Sequence, residues 1–161
     1  MDGFILEGPA PSRTISSKLR CTLRNLTMGP LGCMREWMDS ELVRDEVENT
    51  VFVLRSAEKK TVVVGWAQLH YDPADSFEYM HKDCIALSVF VKEEYRGRGA
   101  GKFLAEVATA YAKASGKTVQ IYPSCAGSRA VYKSLLNDPH VINGYEFEPW
   151  NDEGYEDLLM Y

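Results

Sequence analysis

The sequence lacks several features that would assign it to particular classes of protein. No apolar run approaches the roughly 20 residues of a membrane-spanning helix. Residues 1–13 have neither the basic start nor the long apolar middle of a signal peptide. The four cysteines form no CxxC pair, so neither a zinc site nor a disulfide framework is predicted. We therefore expect a soluble, cytoplasmic protein with no metal and no membrane partner.

Positive charge is also in short supply. Eighteen Lys and Arg residues face 23 Asp and Glu residues, which gives a formal net charge of −5. A nucleic-acid surface needs clustered Lys and Arg, so no nucleic-acid partner is expected, whereas a cationic partner such as an amine fits the balance. The 161 residues suit one domain, residues 1–161, with a hydrophobic core.

The order of apolar patterns predicts a mixed α/β domain of the α+β kind. We expect a largely antiparallel sheet flanked by helices, with one parallel pair from a strand–helix–strand unit over 85–122. Strands are predicted at 4–6, 50–55, 61–71, 84–91, 118–122, 145–147 and 157–161, with a break at 8–11. Helices are predicted from Ile15 to Leu26, at 31–45, from the glycine turn to Gly116, and at 128–136.

A glycine-rich turn, VKEEYRGRGAGK, joins the strand at 84–91 to the following helix. It is not a Walker loop, because Phe103 stands where Ser or Thr is required and Arg96 where the first glycine belongs. Lys102 likewise breaks the dinucleotide fingerprint. Glycines let the backbone approach an anion closely, and a helix N-terminus adds free N–H groups. Together with Arg96, Arg98 and Lys102, the turn predicts a diphosphate site.

The pattern Arg96-x-x-Gly99-x-Gly101 resembles the acetyl-CoA pyrophosphate motif of the GNAT N-acetyltransferases. The resemblance implies the GNAT fold and acetyl-CoA as cosubstrate, bound by Arg96, Gly97, Arg98, Gly99, Ala100, Gly101 and Lys102. In that family the preceding strand splays from the next one, and pantetheine lies in the gap. By position, the backbone contacts to pantetheine fall to Val89, Phe90 and Val91.

Residues 125–132 resemble the family's N-x-x-A-x-x-x-Y helix. Cys125 replaces Asn and Ser128 replaces Ala, while Tyr132 is retained. The resemblance implies cofactor contacts at Cys125 and Ser128 and a proton donor at Tyr132. A phenol with a pKa of about 10 is a feasible donor to a thiolate whose conjugate thiol has a pKa of about 8.5.

The general base is less clear from the sequence. Many family members use a carboxylate on the strand before the turn, and the matching position is Ile85, which cannot accept a proton. Asp83 is the nearest candidate, and the weaker ones are Glu78, His81 and Ser88. The acidic end of the chain, residues 145–161, holds carboxylates suited to attract a cationic acceptor.

The resemblance implies an N-acetyltransferase that transfers acetyl to a primary amine of a small molecule or protein by direct attack. It also allows a homodimer. Two alternatives stay open: a CoA-binding regulatory or interaction module of the same fold, favoured by Cys125 and Ile85, and a nucleotide-binding protein that uses the same loop. The acceptor is not identified by the sequence.

Overall fold

The computed structural model describes residues 2–26, 50–70, 84–121 and 126–143. These residues form six strands and three α-helices, with short 3₁₀ turns between some of them. The strands are β1 (Phe4–Pro11), β2 (Thr50–Ser56), β3 (Val63–His70), β4 (Cys84–Val91), β5 (Thr118–Ile121) and β6 (Val141–Asn143). The helices are α1 (Ser17–Leu26), α2 (Ala100–Ala114) and α3 (Ala126–Tyr132).

The strands form one sheet in the order β1-β2-β3-β4-β5-β6. The first four pair antiparallel, whereas β4–β5 and β5–β6 pair parallel. The predicted mixed, mostly antiparallel sheet is confirmed, but it holds two parallel pairs where one was predicted. The second pair, β5–β6, was not predicted because β6, at Val141–Asn143, has too few apolar residues to be recognised as a strand in the sequence. The predicted strands at 145–147 and 157–161 lie outside the described residues.

The first strand is longer than its sequence indicates. Gly8 and Pro9 predict a break, yet β1 continues to Pro11 because the register with β2 shifts between Glu7 and Ala10. Such a bulge absorbs an extra residue and lets a strand continue. Gly8 has a φ of 105°, and a Cβ there would lie 2.6 Å from the carbonyl oxygen of Val51. Prolines are tolerated here because β1 is the sheet edge.

The helices lie near their predicted positions, with shifted ends. Helix α1 begins at Ser17 because the Ser16 hydroxyl accepts a hydrogen bond from the Leu19 N–H, at 3.1 Å. Helix α3 covers 126–132, and a separate 3₁₀ turn covers 135–137, where one helix over 128–136 was predicted. The predicted helix at 31–45 lies outside the described residues. No helix in the described part of the chain is long and apolar enough to cross a membrane.

The two faces of the sheet carry different apolar clusters. On the α2 face, strand residues such as Ala67, Val89 and Val91 pack with α2 and α3. On the α1 face, Trp66 and Phe90 pack with α1 through the second cluster, which also holds Leu23, Val51, Val53 and Val63. Gly65 lets α2 sit close to the sheet, because a Cβ there would lie 3.3 Å from Leu104 Cδ1.

Candidate active site

Strand β4 continues beyond its pairing with β5. Strand β4 pairs with β3 from Ala86 to Val91. Its pairing with β5 covers only Cys84 to Ala86, opposite Thr118 to Gln120. The second half of β4 therefore has a neighbour on the β3 side and, among the described strands, no partner on the β5 side. We call this edge of β4, unpaired among the described strands, the β4–β5 gap.

Two residues of β4 direct backbone polar groups into this gap. The Lys92 N–H donates to the Val64 carbonyl at 2.8 Å, so this opposite pair is hydrogen-bonded. Since bonded pairs alternate along an antiparallel ladder, Phe90 bonds towards β3, and Val89 and Val91 point towards β5. The sequence assigned backbone contacts to all three residues. The observed register favours Val89 and Val91 and turns the Phe90 backbone away from the gap.

The turn after β4 is shaped by two glycines in left-handed conformations. Residues Glu93–Tyr95 form a 3₁₀ turn, after which Gly97 has a φ of 74° and Gly99 a φ of 81°. Gly99 is the N-cap of α2, and its carbonyl accepts the first helical hydrogen bond, from Phe103, at 3.0 Å. The N–H groups of 100–102 precede that bond, and glycine has no side chain to cap them. This helix end therefore forms a backbone anion site.

The three basic residues of the turn have different surroundings. Arg96 is half-buried, and its Nε donates to the Val91 carbonyl at 2.9 Å, which ties the turn to the end of β4. The exposed guanidinium of Arg98 lies 5.4 Å from the centroid of the Tyr95 ring. Lys102 is exposed, 3.8 Å from Glu106 one helical turn on. Within the described ranges, Arg98 and Lys102 make surface contacts alone, which leaves both able to pair with an incoming anion.

Tyr132 and Ser128 are buried residues of α3. Tyr132 is 1% exposed and belongs to the cluster on the α2 face that also contains Ala100 and Val91. Ser128 is fully buried on the same helix. The structure thus brings Tyr132, the turn and the end of β4 into one packed unit. Cys125 and Asp83, the other predicted site residues, lie outside the described residues, as do Glu78 and His81.

A group of polar side chains on the α1 face was not predicted as a unit. His70 Nε2 lies 2.9 Å from the Ser88 hydroxyl, across strands β3 and β4. Gln68 and Gln120 are buried on the same face, Gln68 opposite Ser88 and Gln120 opposite Ala86. Ser88 was a weak candidate from the sequence, and His70 was missed. The alternation in GWAQLH did place Gln68 and His70 on one face, but only the pairing with β4 connects them to the gap.

Ile85 lies on the opposite face. Its side chain is 1% exposed and packs in the core beneath α2 with Leu87 and Val89. The position matched to a catalytic carboxylate is therefore a core position in this chain. Among the described residues of β4, Ser88 presents its polar group to the α1 face.

A strand edge that is unpaired among the described strands, followed by a glycine turn and an uncapped helix N-terminus, is an arrangement suited to bind a diphosphate beside an extended ligand. The chain belongs to the acetyltransferase (GNAT) family, whose model matches residues 20–136. The cosubstrate of this family is acetyl-CoA. The family and fold expected from the sequence are confirmed.

Three solved structures are similar to the chain. yncA from Salmonella typhimurium, solved with its cofactor acetyl-CoA, is 18% identical with a TM-score of 0.53, over 83% of this chain and 79% of its own. An acetyltransferase of the GNAT family from Streptococcus pneumoniae is 16% identical, with a TM-score of 0.47, over 70% and 69%. Glucosamine-6-phosphate N-acetyltransferase from Arabidopsis thaliana is 12% identical, with a TM-score of 0.46, over 83% and 90%. No curated protein matches the sequence. At such identity, the likeness to yncA shows the fold alone.

Proposed function

We propose that the chain is an acetyl-CoA-dependent N-acetyltransferase that acts on a primary amine of a small molecule or protein. The observation that supports it best is the position of the β4–β5 gap, which opens beside the N-terminus of α2. A diphosphate and an extended amide chain can then be bound by adjoining stretches of one backbone. A diphosphate alone would not need the gap.

The turn provides the binding groups for the donor. The N–H groups of residues 97–102 would hold the diphosphate of CoA, with Arg98 and Lys102 supplying charge from the rim. Arg96 has a different part, because its bond to the Val91 carbonyl fixes the turn against β4. The backbone groups of Val89 and the Val91 N–H would pair with pantetheine in the gap.

Acetyl-CoA supplies an acetyl group activated as a thioester. Within the chain, Tyr132 is the proposed donor of a proton to the departing thiolate. The proposal is supported by the apolar cluster on the α2 face, which contains Tyr132 together with Ala100 and Val91. Cys125 and Ser128 are proposed as further cofactor contacts, and Asp83 as a candidate base, on the family resemblance alone.

The experiment that tests this function is an acceptor screen. The purified chain is incubated with acetyl-CoA and a panel of amines: polyamines, amino acids, amino sugars and lysine peptides. Released thiol and acetylated product are both measured. Thiol release that depends on one class of amine supports the proposal. A chain that binds acetyl-CoA but releases no thiol with any amine is a CoA-binding module instead. Preference for ATP over CoA in a thermal-shift assay would point to a nucleotide-binding protein.

A further inference from the structure

The α1 face of the sheet becomes polar next to the gap. Towards α1 this face is apolar, with Trp66 and Phe90 packed in the second cluster. Further along β3 and on β5 it carries Gln68, His70 and Gln120, each no more than 3% exposed. Buried polar side chains are costly unless they are hydrogen-bonded, so a concentration of them beside a cleft points to a binding or catalytic role.

His70 and Ser88 form a hydrogen-bonded pair within this polar region. The distance from His70 Nε2 to the Ser88 hydroxyl is 2.9 Å. His70 is 2% exposed, whereas Ser88 is the one residue of β4 that keeps partial exposure. A molecule that approaches this face can therefore reach the Ser88 hydroxyl directly, but it reaches the imidazole only through Ser88.

The pair is positioned where an acceptor would enter. Ser88 lies two residues beyond Ala86, where the β4–β5 pairing ends, and next to Val89, whose backbone faces the gap. Helix α2 and its anion site cover the other face of the sheet. A donor that is bound from the α2 side leaves the α1 side of the gap for the acceptor. Ser88 points to that side.

Gln120 supplies an independent indication of a ligand at this place. Its side chain is 3% exposed, and its Oε1 is buried with no hydrogen-bond partner from the described part of the chain. It lies across Ala86 from His70, because the register pairs His70 with Ala86 and Ala86 with Gln120. The small Ala86 side chain separates the two polar groups. A buried oxygen without a donor suits an incoming N–H group.

We propose that Ser88 and His70 relay the proton that the acceptor amine must lose, and that Gln120 accepts a hydrogen bond from the same amine. This inference rests on the proposed N-acetyltransferase function. An alkyl ammonium has a pKa of about 10.4, so at neutral pH the acceptor is almost entirely protonated and cannot attack. Ser88 contacts the acceptor, and His70 acts through Ser88 as the final proton acceptor.

The proton and electron changes balance without another reactant. The amine proton passes to the Ser88 oxygen while the Ser88 hydroxyl proton passes to His70 Nε2. The C–N bond forms, the C–S bond breaks, and its electron pair leaves with sulfur. Tyr132 protonates the thiolate, and the new amide nitrogen gives its second proton through water to the Tyr132 phenolate. The His70 imidazolium returns the first proton to water when the products leave, so both side chains regain their starting states. Nothing is oxidised or reduced in this sequence.

The test compares His70→Gln and Ser88→Ala with Thr109→Val, a control that removes a buried hydroxyl from the core face of α2. Alkylamines and hydroxylamine, which is largely uncharged at neutral pH, serve as acceptors. We expect kcat with alkylamines to fall by roughly 10²-fold in both relay variants. With hydroxylamine the loss should be much smaller, because little proton removal precedes attack. KM for acetyl-CoA and the unfolding midpoint should match those of the control.

Each other outcome identifies which proposal fails. Equal losses with charged and uncharged amines indicate a structural role for the pair and overturn the relay. Full activity in folded His70→Gln and Ser88→Ala variants also overturns the relay, while acetyl transfer by the parent chain stands. If the parent chain releases no thiol with any amine, the N-acetyltransferase function fails, and the relay fails with it. Ser88 is partly exposed, so its truncation remains informative even if His70→Gln does not fold.

Discussion

At the scale of single residues, the proposed donor site depends on backbone geometry more than on side chains. The φ values of Gly97 and Gly99 direct the chain into α2 so that free N–H groups converge. Arg96 is the residue that most identifies the motif, and its Nε donates a hydrogen bond to the Val91 carbonyl. Its contribution is therefore to shape the turn. The exposed Arg98 and Lys102 supply charge.

Tyr132 allows a test of the proposed proton donor. We expect Tyr132→Phe to lower kcat by roughly 10²-fold, because phenylalanine has no proton to give to the thiolate. KM for acetyl-CoA should change little. Steady-state kinetics with thiol detection measures both. The matched control is Tyr111→Phe, since Tyr111 is a half-buried tyrosine of α2 whose ring packs edge-on against Phe52. Equal kcat in the two variants would remove Tyr132 from the mechanism.

Gly97, in the proposed anion site, and Gly116, after the end of α2, form a matched pair of positions for substitution. Their φ values are 74° and 78°, and a Cβ at either position would meet nothing within 4 Å. Alanine should therefore strain both similarly, by roughly 1–2 kcal/mol in the free energy of unfolding. Only Gly97→Ala should weaken acetyl-CoA binding, by about tenfold, or about 1.4 kcal/mol.

Urea denaturation and isothermal titration calorimetry measure these two quantities. Equal acetyl-CoA affinity in the two alanine variants would contradict a role for the Gly97 backbone in diphosphate binding. Since Gly116 ends α2 far along the chain from the turn, its variant separates a loss of stability from a loss of binding.

At the scale of elements, the structure agrees best with the predictions from the sequence where an apolar pattern is long and ends at turn residues. Strand β4 has the predicted bounds, and α2 follows the glycine turn as expected. The differences fall on elements whose form depends on a neighbour. Strand β1 continues through Gly8 and Pro9 because a bulge forms where it pairs with β2. The short segment β6 is a strand because it pairs with β5. Neither pairing is visible in a local pattern.

The contact between α2 and the segment after α3 makes stability depend on pH. Lys113, in the last turn of α2, forms an ion pair with Asp138. Its hydrogen bond, and a second from the His140 N–H, lower the pKa of the Asp138 carboxyl. A lowered pKa in the folded state gives stability that is present above about pH 4, the unfolded value, and lost as the pH falls through the folded one.

Asp138→Asn should therefore unfold at a lower urea concentration than the parent chain at pH 7. The difference should shrink as the pH falls from about 4 through the lowered pKa of folded Asp138, because below that pKa the carboxyl is neutral in both states of the parent. Lys113→Met gives the reciprocal variant, and the double variant measures the coupling of the pair. A urea-midpoint difference that does not change with pH would show that the Asp138 charge is not responsible.

At the scale of the whole molecule, the proposed function places the two substrates on opposite faces of the sheet. The α2 face carries the anion site and the large core, and the α1 face carries the polar group around Ser88. Among the described residues, these two regions adjoin where the pairing of β4 with β5 ends. A CoA thioester bound on the α2 side and an amine bound on the α1 side would then react at the β4–β5 gap.

This arrangement predicts where acetyl-CoA protects the backbone. Hydrogen exchange should slow at Val89, Val91 and residues 97–102 when acetyl-CoA is added, because those N–H groups face the gap or belong to the turn and the helix end. The β1–β2 pairing should be unaffected. Mass spectrometry of peptides from both regions provides the comparison, and ATP in place of acetyl-CoA is the control. Protection confined to the β1–β2 region would contradict the proposed donor site.

The sequence by itself determined the family and the cosubstrate, and it predicted the turn that we propose binds the diphosphate. Those depend on residues adjacent in the chain, since a glycine turn and the helix after it are local structures. Only the tertiary structure brought together the residues that we propose face the acceptor. His70 and Ser88 are 18 residues apart and meet because β3 and β4 pair in one register. A register shift of one residue would move Ser88 to the other face, and local sequence patterns do not specify register.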